Sequence, residues 1–283
     1  MSQKSTNTNL AFFRHCANPG DVIACLAVCR SYYEITGKKV VFCQILGHPG
    51  NYYFGAVHPT TNEEGVMVTM NQKMFDMLKP LVESQHFIER FEVFNGQKIT
   101  VDLDVIRNKT NVGMPNGFLA SWPMYIYPDL SRDISKFWME LNLKDHRLKK
   151  QVKNKIIINF TERYREYTIR YDFLKSYATD LIFAGTEREY YLFTNTYGVN
   201  IPRLEVNDFL ELGYAIKFCR FFMGNQSMCW NLANAIGKPR LLEVFFGAHN
   251  CHPNIGENNY GYSNQVGAEY LFRMMYAKIK SPK

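Results

Sequence analysis

Short apolar strands alternating with helices fill the first half of the chain, give way to a charged run over residues 143–155, and then begin again. That restart is the strongest constraint on the fold, because parallel strands need a crossover between them and crossover helices cover the sheet they connect. In the first block, residues 10–14 read as a strand, Asn18-Pro19-Gly20 as a turn, and residues 21–36 as a helix with Val22, Leu26, Cys29 and Tyr33 at helical spacing, closed by Gly37. A strand at 39–46, a helix at 71–83 and two strands at 91–94 and 99–103 about the Asn95-Gly96 turn follow. Residues 110–128, rich in Asn, Gly and Pro, carry no readable period, and 130–141 looks helical. The second block is cleaner. Strands are expected at 156–160, 181–184, 203–206, 221–223 and 240–246. Helices are expected at 171–177, 187–197, 208–218 with Asp208 as cap, 226–236 ended by Gly237, and 267–280. The length of 283 residues suits two such units. The pattern predicts an α/β protein of two Rossmann-like domains with parallel sheets, residues 1–148 and 149–283, facing each other across a cleft.

Composition narrows the functions open to such a chain. Hydrophobic residues at 46% and charged residues at 21% are globular values and exclude a disordered or collagen-like protein. A net charge of +7, spread along the chain, favours phosphate-bearing or acidic ligands but lacks the clustered basic surface of a nucleic-acid binder, so no nucleic-acid partner is expected. The longest apolar run, residues 22–29, is far short of the roughly 18 residues of a spanning helix. The polar start at residues 1–9 has no signal core, so a cytoplasmic protein with no transmembrane segment is expected, with room for peripheral contact with a membrane. The seven cysteines contain no CxxC pair and read as buried reduced thiols. His249-Asn250-Cys251-His252 offers metal-ligand types but has no second ligand pair elsewhere, and reads as a polar loop. No metal and no cofactor are expected.

Open parallel sheets bind ligands outside the carboxyl ends of their strands, where loops enter helices. Four loops qualify. In Asn18-Pro19-Gly20-Asp21, Asp21 is either a helix cap or a general base at the mouth of the cleft. In Gly224-Asn225-Gln226-Ser227, small polar residues at a helix start either cap it or offer N–H groups to a phosphate. The loop holding Thr161, Arg163 and Arg165 presents arginines that are either solvated or set against a diphosphate. In Gly185-Thr186-Glu187, Glu187 either accepts ribose hydroxyls or merely opens a helix. No GxGxxG or P-loop pattern is present, which counts against a dinucleotide dehydrogenase and a P-loop NTPase.

Gly20-Asp21-Val22, Ala184-Gly185-Thr186 followed by Glu187, and the block from Phe222-Met223-Gly224-Asn225-Gln226-Ser227 into Asn231-Leu232-Ala233-Asn234-Ala235-Ile236-Gly237-Lys238-Pro239 together resemble the GT-B glycosyltransferases. The family most resembled is the ADP-heptose:lipopolysaccharide heptosyltransferases, glycosyltransferase family nine, with its bacterial relatives. The resemblance implies a GT-B fold whose amino-terminal half holds a glycan or lipid-linked acceptor and whose carboxyl-terminal half holds a nucleotide-diphosphate sugar, with inverting, metal-independent transfer to an acceptor hydroxyl. It also implies that Asp21 is the base and that Gly224 to Ser227 bind the pyrophosphate and sugar.

Two departures from the family pattern stand out. Asn225-Gln226-Ser227 replaces the usual Asp-Thr-Gly, altering the sugar contact, and no lysine follows Thr161, so an arginine has to take its place. A non-catalytic nucleotide-sugar binding protein and a nucleotide-sugar epimerase remain as alternatives. Asn250, Asn254 and Asn258 with Tyr260 and Tyr262 form a polar aromatic segment expected to line the cleft.

Overall fold

The computed structural model describes residues 9–50, 58–108, 118–131, 133, 136–248, 250–251 and 256–279. The expected features at 110–117, and His249, His252 and Asn254, lie outside the described residues.

The first sheet is built from β1 (Leu10–His15), α1 (Pro19–Thr36), β2 (Lys39–Gln44), α2 (Gln72–Glu83), β3 (Ile88–Val93) and β4 (Val101–Asp102), with its four strands in the order β3-β2-β1-β4. All of its pairings are parallel. β2 is buried on both faces, as expected of an inner strand of a covered parallel sheet. α1 is apolar almost all round and buried along most of its length, so it is a core helix rather than a surface one. It ends on Gly37, whose positive φ of 70° lets its N–H turn back to the Tyr33 carbonyl.

After two short helices, α3 (Trp122–Ile126) and α4 (Lys149–Val152), the second sheet begins. Its elements are β5 (Ile156–Asn159), β6 (Leu181–Phe183), α5 (Glu187–Tyr197), α6 (Phe209–Phe218), β7 (Phe222–Asn225), α7 (Met228–Ala235), β8 (Arg240–Glu243), β9 (Asn259–Tyr262) and α8 (Gln265–Lys278). The strand order is β6-β5-β7-β8-β9, again parallel throughout. Its two faces bury different sets of side chains. Ile156 and Ile158 pack with Phe193 and, from α8, Phe272. Ile157 joins a cluster that continues through α7, α6, α2 and α1 to the first sheet. One apolar core therefore runs between the two sheets.

Several sequence expectations are corrected. Residues 136–141 are not helical: Trp138 and Met139 donate their N–H groups to the Ala235 carbonyl, and the Trp138 indole donates to the Ile23 carbonyl at 2.8 Å. Apolar residues there pack as an extended strap over α1 and α7, which imitates a helical stripe in sequence. Residues 203–206 make only a single bridge, Phe183 to Arg203. β3 and β4 are not a hairpin about Asn95-Gly96, because β4 pairs with β1 on the far side of β2. The expected helix at 171–177 is a run of 3₁₀ turns over Asp172–Asp180. Asn258, Tyr260 and Tyr262 do not form a cleft-lining loop; they enter or belong to β9, an edge strand beside β8. Its Asn-Tyr-Gly-Tyr sequence has weak strand preference, and the pairing with β8 supplies what propensity does not.

Candidate functional site

In both sheets the chain leaves the first strand to one side and later returns to its other side, which creates a switch point. These lie between β1 and β4 in the first sheet and between β5 and β7 in the second. Loops diverge there at the carboxyl ends and leave a crevice. Of the expected residues, Asp21 follows β1, Thr161, Arg163 and Arg165 follow β5, and Gly224 to Ser227 end β7 and open α7.

The second switch point is held by side-chain amides. Asn159, at the end of β5, donates to the Ala184 carbonyl at 2.7 Å and accepts from the Ser227 hydroxyl at 2.7 Å. It thereby joins the end of β6 to the start of α7. Ser227 is the cap of α7, accepting from the Trp230 N–H at 3.2 Å. Gly224 is required by close approach, since a Cβ there would collide with the Asn159 carbonyl. Asn225 is fully buried; its oxygen accepts from the Thr161 N–H at 2.9 Å and its amide donates to the carbonyls of Arg163 and Tyr164. Tyr164 has a φ of 53°, a costly conformation for a bulky residue, and Asn225 helps to hold it there. Gln226 accepts from the Phe245 N–H at 3.0 Å and donates to the Ala248 carbonyl and to Asn250 at 2.7 and 2.9 Å. The side chains of Asn225, Gln226 and Ser227 thus shape the loop, while the first-turn N–H groups of α7 supply its positive end.

The two arginines separate. Arg165 binds the buried Glu243 carboxylate, with Nε 3.1 Å from Oε1. Glu243 also accepts from the Tyr171 hydroxyl at 2.7 Å, and Tyr171 meets Tyr262 at 2.9 Å. Burial opposes the Arg165 charge, but Glu243 outweighs it and raises the guanidinium. Arg165 is thus committed to the scaffold. Arg163 lies over the Tyr164 ring, 5.3 Å from its centroid.

In the Gly185 loop, Thr186 caps α5 in a capping box with Glu189, and Glu187 is exposed in the first turn. Burial raises the Glu189 carboxyl. A Cβ on Gly185 would lie 3.0 Å from a Glu189 oxygen and closer still to the Phe183 ring, so the loop fits only glycine without rearrangement.

At the first switch point, Asn18 holds the cap position of α1 and Asp21 sits in its first turn, so Asp21 is not the cap. Gly20 brings α1 against α7: Asn231 donates to the Gly20 carbonyl at 3.3 Å, and a Cβ on Gly20 would lie 3.4 Å from the Met228 Cα. His58, which the sequence did not single out, and Cys251, which it read as part of a polar loop, complete the picture. His58 is held down to about 3 by burial and by Arg163, against the pull of the Asp21 carboxylate. Cys251 is pushed up to about 12 by burial, with the Asp21 charge adding to it. Charges from both halves therefore act on His58. It lies in a stretch with no strand or helix period, so nothing in the sequence marked it, just as Asn159 read only as the end of a strand.

Among the described residues, no group of three or more His, Cys, Asp or Glu side chains is arranged to hold a metal ion, and no helix is long and apolar enough to cross a membrane.

No protein-family model matches the sequence, and no curated protein matches it. Solved structures do match by fold. A family 9 glycosyl transferase from Veillonella parvula superposes with a TM-score of 0.54 at 9% identity, covering 98% of this chain and 91% of that one. The E. coli heptosyltransferase WaaC with ADP-2-deoxy-2-fluoro heptose gives 0.57 at 7% identity, covering 95% and 99%. E. coli ADP-heptose LPS heptosyltransferase II gives 0.50 at 8% identity, covering 96% and 99%. With two parallel sheets whose switch points meet through α1 and α7, the chain has the GT-B fold of the family-nine glycosyltransferases and the ADP-heptose heptosyltransferases.

Proposed function

We propose that the protein is an inverting, metal-independent glycosyltransferase that moves a sugar from a nucleotide diphosphate to an acceptor hydroxyl. The observation that carries this reading is the meeting of the two switch points, where Asn231 of α7 bonds the Gly20 carbonyl beside Asp21. Residues 1–148 would hold a glycan or lipid-linked acceptor and residues 149–283 the donor. Asp21 takes the proton from the acceptor hydroxyl as its oxygen attacks the anomeric carbon in line with the departing diphosphate. Negative charge growing on that diphosphate is met by the first-turn N–H groups of α7 and by Arg163. Thr161 and Glu187 would complete the donor site, the exposed Glu187 accepting bonds from ribose hydroxyls. Seven buried free thiols suit a reducing, cytoplasmic setting.

An ADP-sugar is the first donor to test, because the WaaC structure holds an ADP-heptose analogue. Transfer is read by mass spectrometry of acceptor products and donor binding by calorimetry. Asp21→Asn should lower turnover about 100-fold or more while leaving donor affinity within a few-fold. Unchanged turnover would remove Asp21 from the mechanism.

A second reading, a binding module without chemistry, is favoured by one observation: Asn225, Gln226 and Ser227 spend their side chains on scaffold contacts. Donor binding with neither transfer nor hydrolysis across a wide acceptor set would select it.

A further inference from the structure

Behind the first turns of α1, three side chains from separate parts of the chain form a relay. His15 ends β1, and its Nδ1 lies 2.8 Å from the Asp104 carboxylate, leaving Nε2 facing the Cys25 sulfur at 3.8 Å. Asp104 also accepts from the Cys16 N–H at 3.0 Å, and its own N–H is held by Asp102 at 3.0 Å, so the carboxylate is fixed. The Phe42 ring of β2 stands edge-on to the imidazole, 6.3 Å between centroids. Along α1, Asp21 stands one turn before Cys25 and Cys29 one turn after it.

We propose that the Cys25 sulfur, set against the His15 imidazole that Asp104 aligns, is a reactive nucleophile and a site of covalent modification by small hydroperoxides. Thiolates gain reactivity beside a protonated imidazole, and a carboxylate on the far nitrogen fixes the tautomer and orientation that this needs. Burial works against the His15 charge, but Cys25 and Asp104 outweigh it and raise the imidazole to about 10. Burial likewise opposes Asp104, yet its bond to His15 holds it down to about 2. Burial raises Cys29, Cys43, Cys219, Cys229 and Cys251. Cys25 is nearly buried.

In the reaction the Cys25 sulfur attacks the distal peroxide oxygen and the O–O bond breaks. Sulfur is oxidised to the sulfenic acid and the peroxide is reduced. The departing alkoxide or hydroxide takes the His15 proton and leaves as alcohol or water.

The test uses the full reduced chain. Hydrogen peroxide is added below one equivalent, sulfenic acid is trapped with dimedone, and each of the seven cysteines is quantified by mass spectrometry. Cys25 should be trapped about tenfold more than any other cysteine, and His15→Gln or Asp104→Asn should remove that preference. Equal trapping at several cysteines, or trapping of Cys25 only after unfolding in urea, overturns the proposal. If neither variant folds, the iodoacetamide rate at Cys25 in the native chain decides. A rate holding nearly level down to about pH 6 supports the pair, whereas a tenfold fall per pH unit below the ordinary thiol value of ~8.5 overturns it.

Discussion

The side-chain amide of Asn231, near the start of α7, donates to the backbone carbonyl of Gly20, in the first turn of α1, at 3.3 Å. The contact joins residues far apart in sequence and sets the candidate base against the candidate diphosphate helix. It also explains the glycine: a Cβ at position 20 would lie 3.0 Å from the Asn231 nitrogen. Gly20→Ala should therefore cost about 1–3 kcal/mol through forced displacement of α7. Asn231→Ala in the same background should add less than it does alone, because both changes act on one contact. Urea unfolding of the two single variants and the double variant measures this.

Glu243 is fully buried and receives Arg165 and Tyr171. Glu243→Leu leaves the guanidinium in the interior without its carboxylate and should cost about 3–5 kcal/mol. Arg165→Met added to that variant should recover a large part of the loss, since an apolar pair removes both desolvated charges. A double variant as unstable as Glu243→Leu alone would show that packing, not charge, dominates at this position.

Asn225 pins the Thr161 N–H and the carbonyls of Arg163 and Tyr164. Asn225→Ala should release the loop, and hydrogen exchange at the Thr161 amide should accelerate while the β5 amides stay protected. Donor affinity should fall about tenfold, because Arg163 then has to be ordered on binding. Arg163→Ala should weaken donor binding by a similar or larger factor, with Arg163→Lys recovering only part of it. Calorimetric titration with an ADP-sugar reads all three.

Stability should depend on pH through His15 and Asp104. His15 is raised from 6.5 to about 10, so its contribution is fully present below 6.5 and is lost as pH rises through 10. Asp104 is lowered from 3.8 to about 2, so its contribution is present above 3.8 and is lost as pH falls through 2. The stability difference between the wild type and His15→Asn should accordingly be largest between about pH 4 and 6.5 and shrink toward pH 10. Denaturant midpoints across that range check the sign; a gap that widens with rising pH would contradict it.

What the sequence determined by itself was the repeating local order. The apolar blocks at β1, β2, β5 and β7, the Gly37 and Gly237 helix ends and the caps at Ser227 and Asp208 are set by propensity and backbone geometry within a few residues. The loops before α1 and α7 were legible for the same reason. The tertiary structure alone decided what depends on distant partners. It turned residues 136–141 into an extended strap by giving their N–H groups to Ala235, and it made a strand of Asn259–Tyr262 by laying it beside β8. It drew Arg165 away from the crevice onto Glu243, set His58 under the charges of Asp21 and Arg163, and built the His15, Asp104 and Cys25 relay. No local pattern encodes these, because each depends on partners distant in sequence that only packing brings together.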